Sequence, residues 1–171
     1  MRIVIVAWRI FSAAALAAFL FSVPLEAEEN QALDELLSDQ AVSRALQMAL
    51  GKIALAKCSG KPCGAATEAE KANPPISIAT ARVVMKAGLL SGAAEICGLD
   101  WRTRIYQPFM VAHQFRNNLN SRQMTLSAMI HGIMQKSIKA SFAKQKKQCS
   151  ELFRANIEKQ ITAANAPKIE Q

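Results

Sequence analysis

Three observations in the 171-residue chain predict an all-α fold, a compact bundle of five or six helices. Apolar residues return every three or four positions in segment after segment, the period of a helix with one buried face. Residues suited to helix ends, Ser, Asp and Asn before and Gly after, stand at the borders of those segments. No run of useful length alternates apolar with polar residues as a half-buried strand does. With 51% apolar and 20% charged residues the chain can build a core, and its length suits one domain.

The elements follow in chain order. Arg2 and Arg9 frame the start of an uncharged apolar run from Ile10 to Val23, Pro24 ends any helix, and Ala27 offers a small residue for cleavage. This is the tripartite arrangement of a signal peptide over residues 1–27, whose removal leaves one helical domain over 28–162 and a frayed tail over 163–171. The run is shorter than the roughly 20 residues that a spanning helix needs, so no stable membrane span is expected after cleavage. An uncleaved inner-membrane anchor is the alternative, because Leu25 suits its place before the cut less well than alanine.

Ala32, Leu33, Leu36 and Leu37 predict a short helix, and Ser38 with Asp39 begins a second that carries Val42, Leu46, Met48, Ala49, Ile53 and Leu55 towards Cys58. Residues 58–77 read as a loop, because Gly60, Pro62, Gly64, Pro74 and Pro75 interrupt them. Ala81, Val84, Met85, Leu89, Ala93 and Ile96 mark a long helix that Gly98 can close through positive φ. Gly88 and Gly92, one turn apart, predict close packing against a neighbouring helix. Asp100 is placed to cap a helix from Trp101, with Ile105, Phe109, Ala112 and Phe115 on one side and Pro108 kinking or delaying it. Asn120 and Gln123 form a capping box, and Leu119 with Met124 a hydrophobic staple, before a stripe of Leu126, Ile130, Ile133, Met134 and Phe142. Ser150 caps the last helix, whose expected buried side is Leu152, Phe153, Ile157 and Ile161.

All four cysteines, Cys58, Cys63, Cys97 and Cys149, follow the export segment, and an even number in an exported chain predicts disulfides. Three pairings are possible. The turn-like hexapeptide Cys58-Ser-Gly-Lys-Pro-Cys63 can close on itself, which leaves Cys97 for Cys149. Zinc is the competing chemistry, but the spacing lacks two close Cys or His pairs, and no metal or cofactor is assigned.

Charge divides the chain. Residues 28–100 carry a net −2 and residues 101–171 a net +9. Such a basic half steers anions towards itself. Export argues against nucleic acid, so the expected partner is an anionic envelope component or an acidic protein. Trp101, Arg102 and Arg104, together with Lys136, Lys139 and Lys144, are the candidate binding residues, and Lys146 and Lys147 extend the basic run to Cys149. A solvated face is the plainer account of the lysines, and stacking of Arg104 on Trp101 that of the aromatic cluster.

Catalytic patterns are sparse. His113 and His131 are the only histidines, and no carboxylate lies between Asp100 and Glu151. His131 falls at the edge of its helix's apolar stripe, where a boundary histidine bonded to a neighbour is expected. Met110, Met124, Met129 and Met134 could hold Cu(I) by their thioethers, but methionines at helical spacing more often fill gaps in a core.

Cys97-Gly98-Leu99-Asp100-Trp101, Arg122-Gln123-Met124 and His131-Gly132 together resemble small exported all-helical proteins of Gram-negative bacteria, over roughly residues 80–160. The resemblance implies the same compartment and fold and no activity, since that group is uncharacterised. The charge split and the sparse catalytic patterns make binding without catalysis the function expected. A chaperone-like or toxin-immunity protein, and an enzyme or metal-handling protein using His113, His131 or the methionines, are the alternatives.

Overall fold

The computed structural model of the chain describes residues 34–146 and 148–166. The expected signal peptide, most of the expected first short helix, Lys147 and the last five residues lie outside them. Six α-helices, two shorter helical turns and one two-residue hairpin make up the elements of these residues, so the expected all-α bundle is the fold.

Helix α1, Asp39–Lys52, starts at Ser38, whose side chain accepts the Ala41 amide, and runs on into a 3-10 turn over Ile53–Leu55. Two features then occupy the expected loop. Lys57–Cys58 (β1) pairs antiparallel with Lys61–Pro62 (β2), and Ser59 and Gly60, both at positive φ, make the turn. Helix α2, Glu68–Ala72, begins in a complete capping box of Thr67 with Glu70.

Helix α3, Ile78–Ile96, is capped by Ser77 and closed by Gly98 at φ 67°. Leu99 N–H donates to Ala94 O at 2.9 Å and Gly98 N–H to Glu95 O at 3.0 Å, the two bonds of a Schellman end. Asp100 accepts the Thr103 amide at 3.2 Å, yet the turn it caps, Arg102–Tyr106, is π-helical. Helix α4, Gln107–Asn117, follows with Pro108 in its first turn, where a missing amide costs little. The wide turn advances the phase of everything after it. Met110 and His113 are buried, and Phe115, expected on the inner side, is 81% exposed.

Helix α5, Ser121–Lys144, opens on the Asn120–Gln123 capping box, and α6, Glu151–Asn165, on Ser150. The inner face of α6 is Phe153, Ile157 and Ile161, while Leu152 stands in solvent, one residue off that i, i+4, i+8 row. Helical structure reaches Asn165, into the stretch expected to fray.

The central packing is α3 against α5. A Cβ on Gly88 would lie 2.6 Å from His131 O, and one on Gly92 would meet Ile138 and lie 2.8 Å from Gln135 O. Only glycine permits backbones this close. The contacts step forward along both helices, so the two run parallel. Leu46, Leu50, Ile53, Val84, Met85, Leu126 and Ile130 join α1 to this pair in the larger core. Ala93, Ala94, Ile105, Ile157 and Ile161 form a second cluster where α6 packs.

The cysteines pair as Cys58–Cys63, with Cα atoms 4.9 Å apart, and Cys97–Cys149, at 5.1 Å. The first staples the hairpin. The second ties the end of α3 to the start of α6, where Arg154 also donates to Cys97 O.

Candidate functional site

The aromatic cluster at the start of the Trp101–Asn117 segment is built over α5. Trp101 stacks on His131 with centroids 6.3 Å apart, and Tyr106 meets the same imidazole edge-on at 4.8 Å. Arg102, not Arg104, lies over the Trp101 ring, 5.7 Å from its centroid. Arg104 turns the other way and makes a two-pronged ion pair with Glu158 of α6. That pairing holds the Glu158 carboxyl below the usual carboxylate range, chiefly through the hydrogen bonds from the guanidinium. A monodentate stack on indole does not compete with a bidentate carboxylate for an arginine.

Of the candidate lysines, Lys139 pairs with Glu95, which also accepts from Gln135 at 2.7 Å. Burial opposes the ionisation of Glu95, but these two donors outweigh it and leave its carboxyl lowered. Lys136 and Lys144 are exposed and meet no carboxylate among the described residues, and Arg102, Arg116, Lys146 and Lys159 share that condition. Thus Arg104 and Lys139 are engaged within the fold, Arg102 lies over the half-buried Trp101, and Lys136 and Lys144 are exposed on α5.

The histidines sit deeper than their sequence positions indicate. His131 is 1% exposed and Ser91, its partner on α3, is 0% exposed, with Nε2 and Oγ 2.9 Å apart. Trp101 and Tyr106 cover what periodicity places at the boundary. His113, 4% exposed, approaches Ser127 Oγ through Nε2 at 3.3 Å and stacks on Phe109 at 5.2 Å. Asn117 Nδ2 lies 3.3 Å from its Nδ1. Because an amide can only donate there, the network assigns the proton of neutral His113 to Nε2, from which it is donated to Ser127. Burial lowers both histidines, His131 to about 4.

These are two serine–histidine pairs with the polar contacts of a catalytic dyad and none of its access. Ser91 Oγ and Ser127 Oγ are closed to solvent, so neither can reach a carbonyl without opening of the α3–α5 seam. The methionines divide. Met110 and Met134 are buried, Met124 and Met129 half-buried. Among the described residues no group of three or more His, Cys, Asp or Glu side chains is gathered as a metal would require.

Sequence reasoning missed Arg122, a member of the Arg-Gln-Met stretch. Its guanidinium donates to both carboxylate oxygens of Glu70, at 2.6 and 2.8 Å, and to the carbonyls of Cys63, Gly64 and Ala65. It holds the hairpin exit and α2 against α5, and Gln123 adds a bond to Pro75 O at 2.7 Å. An open hollow of about 740 Å³ was missed as well. It lies between α1 and α5 with Met85 of α3 in its lining.

No protein-family model matches the chain, and comparison with curated proteins and with solved structures finds no match.

Proposed function

We propose that the protein is an exported, periplasmic binding protein without catalytic activity, whose basic C-terminal half docks an anionic component of the cell envelope. The observation that carries the reading is the fate of the charges. Of the few acids of this half, Glu158 is engaged by Arg104, while Arg102, Lys136, Lys144 and Lys146 face solvent without carboxylates among the described residues. Uncompensated cations on one half of a small domain produce a field that steers an anion.

Two disulfides suit an oxidising compartment. No described helix is long and apolar enough to cross a membrane. The closed burial of Ser91, Ser127 and His131 supports binding over catalysis.

The test is affinity for anionic phospholipid vesicles and for acidic envelope polysaccharide, measured at low and at physiological ionic strength. Binding is expected to weaken with salt, and Lys136→Gln/Lys144→Gln/Lys146→Gln is expected to slow association. Thermal stability should change little, since exposed substitutions usually alter folding by less than about 0.5 kcal/mol. Equal binding by wild type and triple variant at both salt levels would reduce these cations to a solvated face.

A further inference from the structure

The hollow between α1 and α5 is lined by Leu36, Met48, Met85, Ile133 and Met134, with Ser43, Gln47 and Ser137 among its few polar members. Leu36 and Met48 stand 44% and 51% exposed. A monomer that leaves large apolar side chains open around a concavity is offering it to something. The lining also has a charge. Arg44 is its one ionised residue, it is exposed, and no carboxylate pairs with it among the described residues.

We propose that this hollow binds a long-chain anionic amphiphile, a single acyl chain ending in a carboxylate or phosphate, with the chain along Met48, Met85 and Met134 and the head group on Arg44. Three features select this occupant. The lining is almost wholly apolar, which suits methylene groups and leaves the amides of an extended peptide without partners. The exposed Met48 offers a flexible, polarizable side chain that adapts to a chain of undefined conformation. A solitary arginine in the lining matches one head group, whereas a nucleotide or polysaccharide would require several donors. A volume of about 740 Å³ falls within the range of small-ligand sites. None of Arg102, Lys136, Lys144 and Lys146 lines the hollow.

The experiment is a titration of the purified, oxidised protein with cis-parinaric acid, a fluorescent long-chain carboxylate, followed by competition with lysophosphatidic acid and with a neutral alcohol of equal chain length. Saturable one-to-one binding is expected, with displacement by the anionic competitor at much lower concentration than by the alcohol. Arg44→Gln should weaken the carboxylate about tenfold, the loss of one charged hydrogen bond, and leave the alcohol unchanged. Met48→Glu, at an exposed position of α1, should weaken both by at least about tenfold by placing a carboxylate that must be desolvated on the apolar wall. The Lys136→Gln/Lys144→Gln/Lys146→Gln variant should bind the probe as wild type does, which separates this site from the proposed basic face. Absence of saturable binding, or probe affinity unchanged in both Arg44→Gln and Met48→Glu, overturns the proposal. Equal displacement by alcohol and anion overturns its assignment of the head group.

Discussion

His131 Nε2 lies 2.9 Å from Ser91 Oγ at a point where both side chains are closed to solvent. The imidazole is neutral there, because burial takes it from 6.5 down to about 4. In the unfolded chain it protonates near 6.5. A histidine depressed in the fold contributes stability that is whole above pH 6.5 and is lost as pH falls towards 4, in all on the order of 3 kcal/mol. His113, also lowered by burial, acts in the same direction. Urea unfolding midpoints should therefore decline through this window, and His131→Gln should flatten the decline. A wild-type midpoint constant from pH 6.5 to 4 is the result that contradicts it.

Glu70 responds at lower pH. Hydrogen bonds from Arg122, then that from the Thr67 amide, bring its carboxyl from 4.5 to about 2. Its contribution is present above 4.5 and disappears as pH falls towards 2. Glu70→Gln or Arg122→Gln should destabilise by about 2 kcal/mol, the range for charge-assisted bonds at a partly buried site. Limited proteolysis should then cut first between residues 57 and 75, which these bonds fasten to α5. Unchanged cleavage in that segment would remove Arg122 as its anchor.

The α3–α5 seam has no room for a side chain at its glycines. Gly88→Ala should cost on the order of 2 kcal/mol, because the new methyl meets the His131 backbone, which cannot move aside as a flexible side chain does. Gly92→Val should cost more. By contrast Gly51→Ala, where no atom lies within 4 Å, should be neutral or stabilising in α1. Thermal melts of the three variants check the ordering.

The disulfides should differ in weight. Chain entropy assigns about 4 kcal/mol to the bond closing 52 positions and about 2 kcal/mol to the one closing 5. Cys97→Ser/Cys149→Ser should consequently lower the melting temperature more than Cys58→Ser/Cys63→Ser. The reverse order would mean that the hairpin staple supports more of the fold than its loop length suggests.

What could be read from the chain was local. Ser38, Asn120, Gln123, Ser150 and Gly98 announce helix ends within a few residues of where they act, and the Cys58–Cys63 hexapeptide announces its own closure. Thr67 and Glu70 carried a capping box too, but the surrounding glycines and prolines masked α2. The π-helical turn has no comparable signature, so the phase of α4 was misjudged and Phe115 placed inward. Periodicity describes a helix in isolation, which is why His131 looked peripheral until Trp101 and Tyr106 were laid over it. Arg104–Glu158 and Lys139–Glu95 join residues 54 and 44 positions apart, and no spacing rule reaches across such distances. The Met-lined hollow likewise exists only between helices.

The order of the cysteines bears on how the chain matures. Each pairs with the next one along, Cys58 with Cys63 and Cys97 with Cys149. An oxidant that meets thiols as the polypeptide emerges, N-terminus first, will find Cys58 and Cys63 able to react with each other before Cys97 arrives. Cys97 must then wait for 52 further residues before its partner appears. On the proposed export route, oxidation in order of emergence favours the native connectivity, because each cysteine meets its native partner without a competing thiol.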